Sequence, residues 1–138
     1  LDLLHQELRI VFLQVETLGK DVDTHIFDDL GRVTYHENVD QLDVISLCKD
    51  ADIVITNKNL FRKVEIDRCP YLKMIAVTAT GTNNVDLDYA KEKGIRVANV
   101  KGYSTEAVAQ LTLALCLELI EHTSRYDSYV KSHQYEKG

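Results

Sequence analysis

The feature of this sequence that most limits its fold is a regular alternation of short apolar runs with segments of helical periodicity. The apolar runs are typical of buried strands in length and β-branched content and span residues 9–15, 32–36, 51–56, 73–77 and 95–99. The segments between them predict helices over residues 23–30, 40–49, 60–68 and 87–93. Strands that alternate with helices over short loops form parallel sheets covered on both faces. With right-handed crossovers, the sequence predicts an α/β fold with a flavodoxin-like, doubly wound five-stranded parallel sheet, in a first domain over residues 1–100.

Local signals predict some details of this domain. Asp86 is placed to cap the helix over residues 87–93, and Gly94 to end it. In the helix over residues 40–49, we expect Leu42, Ile45 and Leu47 to face inward. The second strand alternates apolar and polar residues, which predicts a more exposed position in the sheet. Residues 1–8 predict a short helical lead.

The remaining residues, 101–138, differ in character and predict a helical arm. Ser104 or Thr105 can begin a helix that runs to Ile120 and is apolar nearly all round. A surface helix of a water-soluble protein has a polar face, so this helix must be covered on several sides. It either docks on the sheet or is covered by a second domain or subunit, and the sequence favours the second. A more polar segment with helical spacing follows at residues 121–138.

Charge and cysteine content limit the partners. The net charge is −6, which argues against nucleic acid and anionic membranes as general partners. Cys48, Cys69 and Cys116 are an odd number of widely spaced thiols without metal-ligand spacing, as expected of idle cysteines in a reducing compartment. The first residues do not resemble a signal peptide, and the apolar stretch over residues 111–120 is too short to span a bilayer. We therefore expect a cytoplasmic protein with no metal site.

The strand over residues 73–77 runs into a glycine loop and then a helix, which is the candidate binding site. Gly81 allows a positive φ and the close approach of another molecule, because it has no Cβ. In a parallel sheet this loop lies beside residues 57–59, which follow the preceding strand. The backbone amides of Thr80 and Gly81, with the ammonium of Lys58, would suit a small carboxylate. A tight connection that binds nothing fits the same residues equally well.

Motifs that carry chemistry are absent from the 138 residues of the sequence. It contains no GxSxG, HExxH, P-loop or GxGxxG pattern. Without an acid, base or electrophile beside the two loops, the candidate site can bind a ligand but has no evident means of catalysis. No catalytic residue is therefore assigned.

Three blocks of this sequence resemble a known family: Pro70–Ile75, Thr80–Leu87 and Gly94–Gln110. Together they resemble the NAD-dependent D-isomer-specific 2-hydroxyacid dehydrogenases, and most of all the glycerate dehydrogenase and hydroxypyruvate reductase branch. The resemblance implies that residues 1–100 are the substrate domain and that residues 101–138 begin a Rossmann coenzyme domain. It also implies that Ser104–Ile120 takes part in a homodimer contact.

The resemblance assigns roles to three positions. Thr80 and Gly81 match the loop whose amides hold the carboxylate of a 2-oxo acid, and Thr80 also approaches the nicotinamide of NAD. Val108 matches a position that lines the nicotinamide pocket in some members. Val77 stands where some phosphoglycerate dehydrogenases carry an arginine for the substrate phosphate, so the resemblance favours hydroxypyruvate, glyoxylate or a similar small acid.

The sequence departs from the family because it has neither the GxGxxG loop nor the catalytic Arg, Glu and His that follow it. We therefore expect this chain alone neither to bind NAD tightly nor to turn over substrate. The alternative is a non-catalytic flavodoxin-like binding or dimerisation module, in which residues 104–138 form an arm exchanged between two chains.

Overall fold

The computed structural model describes residues 7–137, so the helical lead expected at residues 1–8 lies mostly outside the described residues. The chain divides into two compact units with the boundary between Lys101 and Gly102. The first unit contains the sheet, and the second is helical.

The first unit contains a five-stranded sheet in which every strand pair is parallel. The strands are β1 (Leu8–Phe12), β2 (Gly31–Tyr35), β3 (Ile53–Thr56), β4 (Met74–Val77) and β5 (Arg96–Asn99). Their spatial order is β2-β1-β3-β4-β5, which is the flavodoxin-like order. The predicted fold class is confirmed. Strand β2 lies at an edge and is less buried than β1 and β3, as its alternating sequence predicts.

The helices of this unit are shorter than the sequence predicts. They are α1 (Val44–Cys48), α2 (Lys63–Asp67) and α3 (Leu87–Glu92), with 3₁₀ turns at Val15–Thr17, His25–Leu30 and Gln41–Asp43. The predicted cap of α3 is confirmed, because Asp86 Oδ1 accepts a hydrogen bond of 3.1 Å from the Tyr89 N–H. Gly94 follows the helix with a φ of 74°, a left-handed conformation that suits glycine.

Apolar side chains cover both faces of the sheet. Along β1 and the residue after it, Val11 and Leu13 belong to the larger cluster on one face, and Ile10 and Phe12 to the smaller cluster on the other. This alternation shows that β1 is buried on both faces.

The prediction that Leu42 faces inward is wrong, because its side chain is 93% exposed. Gln41–Asp43 forms a 3₁₀ turn, and the α-helical turn begins only at Val44. Val44 and Cys48, four residues apart, therefore face the core, while Ile45 and Leu47 are half-buried.

The second unit contains α4 (Thr105–Glu121) and α5 (Thr123–Lys131), followed by a 3₁₀ turn at Gln134–Lys137. His122 joins the two helices in a left-handed conformation with a φ of 53°. No residue of α4 is buried, and the helix exposes seven large apolar side chains: Val108, Leu111, Leu113, Leu115, Leu117, Leu119 and Ile120. Among residues 7–137, no helix has both the length and the apolar character needed to cross a membrane.

Asp52 connects three strands at the amino edge of the sheet. Its Oδ2 accepts hydrogen bonds from the Arg9 N–H at 3.0 Å and from Arg9 Nε at 3.2 Å. Its Oδ1 lies 2.9 Å from the Lys73 ammonium. Burial would raise the pKa of Asp52, but the hydrogen bonds from Lys73 and Arg9 outweigh burial and lower the pKa overall.

We expect Asp52→Asn to lower the free energy of unfolding by about 1–3 kcal/mol at neutral pH, because it removes the charge that Arg9 and Lys73 contact. Since folding lowers the pKa of Asp52, the carboxylate stabilises the fold fully above its unfolded pKa, and this stabilisation is lost as the pH falls through the folded pKa. In urea unfolding, the difference in the free energy of unfolding between wild type and variant should therefore shrink below about pH 4. Asp50→Asn, at an exposed neighbour, is the control. A gap that is independent of pH would contradict this assignment.

Candidate functional site

The loops that follow β3 and β4 border a cleft at the carboxyl edge of the sheet. These strands are paired neighbours with Thr56 opposite Val77, so both loops leave the sheet at the same edge. The cleft has a volume of about 450 Å³ and is lined by residues from both loops: Asn57, Lys58, Leu60, Arg62, Ala79, Gly81, Asn83 and Asn84. The sequence prediction that these loops are neighbours is confirmed.

Asn84 holds the two loops together. Its side chain is buried, and its Nδ2 donates hydrogen bonds to the carbonyl oxygens of Asn57 at 3.3 Å and Asn59 at 3.1 Å. The backbone adds two bonds of 2.9 Å, from the Phe61 N–H to the Asn84 carbonyl and from the Asp86 N–H to the Phe61 carbonyl. This role is not visible in the sequence, because nothing in a single asparagine shows that its partners lie 25 and 27 residues away.

We expect Asn84→Ala to lower the free energy of unfolding by about 1–3 kcal/mol, because two backbone carbonyls lose a buried donor. The same change should speed amide hydrogen exchange in residues 57–61, which measures the loosening of the loop directly. Asn83→Ala is the matched control, at an adjacent exposed asparagine. Equal exchange rates in both variants would contradict the role of Asn84.

Gln14 fixes the same loop from the other side. Its Oε1 accepts a hydrogen bond of 2.8 Å from the Lys58 N–H, and its side chain is buried. Gln14 adopts a left-handed backbone with a φ of 63°, which is why β1 ends at Phe12 and not at Val15 as predicted. In the sequence, the sign that the strand ends early is the polar Gln14 inside the apolar run over residues 9–15.

The loop after β4 leaves backbone donors without partners. Its carbonyl groups are held, because Asn99 Nδ2 donates to the Thr80 carbonyl at 2.6 Å and the Val100 N–H donates to the Ala79 carbonyl at 3.1 Å. Within residues 7–137, neither the Thr80 N–H nor the Gly81 N–H donates a hydrogen bond to the protein. Exposed amides of this kind favour an anionic ligand.

Gly81 differs from the prediction in its backbone. It does not adopt a positive φ, which the structure shows for Gly31, Gly94 and Gly102. A Cβ at Gly81 would lie 3.1 Å from Asn83 Oδ1, an atom of an exposed side chain. The glycine therefore keeps the surface of the cleft open and does not relieve backbone strain.

The structure places the predicted site residues in two groups. Lys58 and Gly81 line the cleft, and Thr80 is the exposed residue that precedes Gly81 in the same loop. Val108 belongs to the second unit, where it is exposed on α4. Val77 is buried in the core cluster and does not line the cleft, so its identity gives no direct information about what the cleft accepts.

The cleft is positively charged. Lys58 and Arg62 both line it, and none of the described residues that line it is acidic. Arg62 lies at the cleft because its Nη2 donates a 2.7 Å hydrogen bond to the Asn83 carbonyl. The described lining also contains no histidine or cysteine. The arrangement can therefore bind a carboxylate, and apart from the Lys58 amine its described lining offers no group commonly used for proton transfer or nucleophilic attack.

The cysteines lie apart from this site. Cys48 and Cys69 are buried, and burial raises the pKa of the first to about 12 and of the second to about 11. Both thiols are thereby kept protonated and unreactive. Cys116 is exposed on α4. Nowhere in the described part of the chain do three potential metal ligands come together.

An open parallel α/β sheet with a positively charged cleft at its carboxyl edge is the architecture of the doubly wound class. Within that class, the chain belongs to the D-isomer specific 2-hydroxyacid dehydrogenase family, whose catalytic-domain model matches residues 10–135. The family resemblance predicted from the sequence is confirmed.

Individual relatives support the same assignment. The chain is 38% identical over 135 residues to hydroxypyruvate reductase of Blautia hydrogenotrophica, and the aligned region covers 95% of this chain and 42% of the relative. It is 30% identical over 130 residues to glycerate dehydrogenase of Methylorubrum extorquens, and the aligned region covers 94% of this chain and 41% of the relative. The chain thus spans about two fifths of the length of these relatives.

Among solved structures, the chain is similar to D-lactate dehydrogenase from Aquifex aeolicus, which was solved with NAD and lactic acid. The sequence identity is 26% and the TM-score is 0.68, over 89% of this chain and 37% of the other. This similarity agrees with the family assignment.

Proposed function

We propose that this chain is the substrate-domain part of an enzyme that transfers a hydride between NAD(H) and a small D-2-hydroxy acid or 2-oxo acid of the glycerate or hydroxypyruvate type. One observation carries the proposal: the Thr80 and Gly81 amides lack internal partners and lie in a loop that borders a cleft with Lys58 but no acidic lining among the described residues. The family and its named relatives support the choice of a 2-hydroxy or 2-oxo acid as ligand.

The binding step follows from the loop chemistry. The N–H groups of Thr80 and Gly81 donate to the substrate carboxylate, and the Lys58 ammonium adds a charged donor. Gln14 holds the Lys58 backbone in place before the ligand arrives, so the loop loses little backbone entropy on binding.

The proposed cofactor is NAD, which supplies the hydride acceptor when it is bound. Thr80, which is exposed beside the cleft, is the residue of this unit that we place against it, and Val108 is the residue of the second unit. Because the described cleft lining contains no histidine or carboxylate and its lysine is assigned to the substrate carboxylate, we assign the proton transfer to residues of the parent protein other than those that line the cleft. The 138 residues alone are proposed to be inactive.

The proposal extends to the second unit and to the location of the protein. The exposed apolar side chains of α4 support a homodimer through residues 104–138. In domain terms, residues 1–100 bind the substrate and residues 101–138 begin the coenzyme-binding domain. We place the protein in the cytoplasm, where its thiols remain reduced.

The test compares the full-length protein that contains this sequence with the present chain. We expect the full-length protein to oxidise NADH with hydroxypyruvate or glyoxylate, to oxidise D-glycerate but not L-glycerate with NAD, and the present chain to do neither. A full-length protein that binds 2-oxo acids without any turnover would support the non-catalytic module instead. Turnover by the present chain alone would refute its proposed inactivity.

A further inference from the structure

We infer that Arg62 is a second anion-binding position in the cleft and that it selects 2-oxo acids that carry a second negative group. This inference rests on the proposed function, which places the first carboxylate at Thr80, Gly81 and Lys58. The second group is a carboxylate or a phosphate at the far end of the substrate. Arg62 is therefore assigned as a specificity-determining residue.

The charge of the cleft carries the first step. A single carboxylate at the loop amides and Lys58 already has the donors that it needs. Arg62 adds a second full positive charge to the same lining, in a protein of net charge −6. Within residues 7–137, neither Lys58 nor Arg62 makes an ion pair with a carboxylate. The Glu65 carboxylate contacts the backbone N–H of Arg62 at 2.9 Å, not its guanidinium.

The position of the guanidinium carries the second step. Its bond to the Asn83 carbonyl occupies one of five N–H donors, so the group is held in place and still has donors for a ligand. Asn83 belongs to the loop that carries Thr80 and Gly81, so this bond places the guanidinium beside the loop that holds the first carboxylate. A guanidinium fixed in this way can form paired hydrogen bonds with a carboxylate or phosphate.

The size of the cleft carries the third step. The cleft is open to solvent and has a volume of about 450 Å³, so its size admits an acid longer than three carbons with a further charged group. The buried position of Val77 removes the one sequence argument against a phosphorylated substrate.

The experiment measures kcat/KM of the full-length protein with two pairs of acids that differ in the second anion. The pairs are pyruvate with oxaloacetate, and hydroxypyruvate with its 3-phosphate. We expect the second anion to raise kcat/KM in at least one pair, which identifies it as carboxylate or phosphate. Arg62→Ala should lower that ratio about tenfold, and Arg62→Lys should retain most of it because the charge remains.

Lys63→Ala is the matched control, since Lys63 lies next to Arg62 and places its ammonium 5.1 Å from the centre of the Tyr89 ring, outside the cleft lining. It should leave the ratio unaltered. Two results overturn the inference but not the proposed function. In the first, Arg62→Ala lowers kcat/KM equally for both acids of a pair. In the second, the second anion does not raise kcat/KM in the wild-type protein. No turnover of any of the four acids with NADH overturns both.

Discussion

Gly81→Val in the full-length protein is expected to lower kcat/KM for a 2-oxo acid about a hundredfold, mainly through a higher KM. Hydrogen bonds to a charged group contribute about 1.5–3 kcal/mol each, and the branched side chain would obstruct the approach of the carboxylate to the Thr80 and Gly81 amides. A loss of about 2.7 kcal/mol in binding corresponds to the hundredfold change. Steady-state kinetics with hydroxypyruvate measures it.

The fold should tolerate this substitution, which separates binding from stability. Gly81 does not adopt a positive φ, and its added Cβ meets only the Asn83 side chain, which is exposed and can turn away. We therefore expect the free energy of unfolding to change by less than about 1 kcal/mol. Gly81→Ala, which adds only the Cβ, should have a smaller effect on KM than Gly81→Val.

A double variant tests the reason for the loss. The variant Gly81→Val/Asn83→Ala lacks the side chain that the added Cβ would meet. If valine acts by filling the cleft, KM of this double variant should stay as high as that of Gly81→Val. A folded Gly81→Val protein with KM and kcat equal to wild type would show that the amides of this loop do not hold the substrate.

The fold class was predictable from the sequence because it depends on a pattern that repeats along the chain. Each strand is a short apolar run and each crossover is a segment of helical periodicity, and the handedness of crossovers leaves few topologies. The cap at Asp86 and the left-handed Gly94 were predictable for a related reason, since both depend on residues within one turn of the helix. The residues of α1 that face the core were not predictable, because a 3₁₀ turn before Val44 changes which side chains point inward.

The candidate site was predictable in position but not in construction. Lys58 and Gly81 reach one cleft because β3 and β4 are parallel neighbours. The groups that fix the loops, Gln14 and Asn84, act through hydrogen bonds to residues distant in sequence, and no local pattern marks such partners. Nothing in the sequence distinguishes Arg62 from the other basic residues, because its place at the cleft depends on a bond to Asn83, 21 residues away.

The exposed apolar side chains of α4 predict that the chain associates with itself. We expect this chain to form a dimer or larger assembly in sedimentation velocity, because an apolar helix exposed along its length finds a partner surface. Leu113 and Leu117 are four residues apart and lie on one face of α4, while Leu111 and Leu115 lie on the opposite face. Each buried leucine contributes about 1.5–3 kcal/mol, so a double Leu→Glu change in the contact face should weaken association at least a hundredfold.

Both double variants, Leu113→Glu/Leu117→Glu and Leu111→Glu/Leu115→Glu, are needed because either face can form the contact. Glutamate retains a high helix propensity, so circular dichroism should show that α4 persists. Leu42→Glu is the control, because Leu42 is an equally apolar and even more exposed leucine of the first unit and should leave the association intact. A wild-type chain that sediments as a monomer, or two double variants that both remain associated, would contradict a dimer formed through α4.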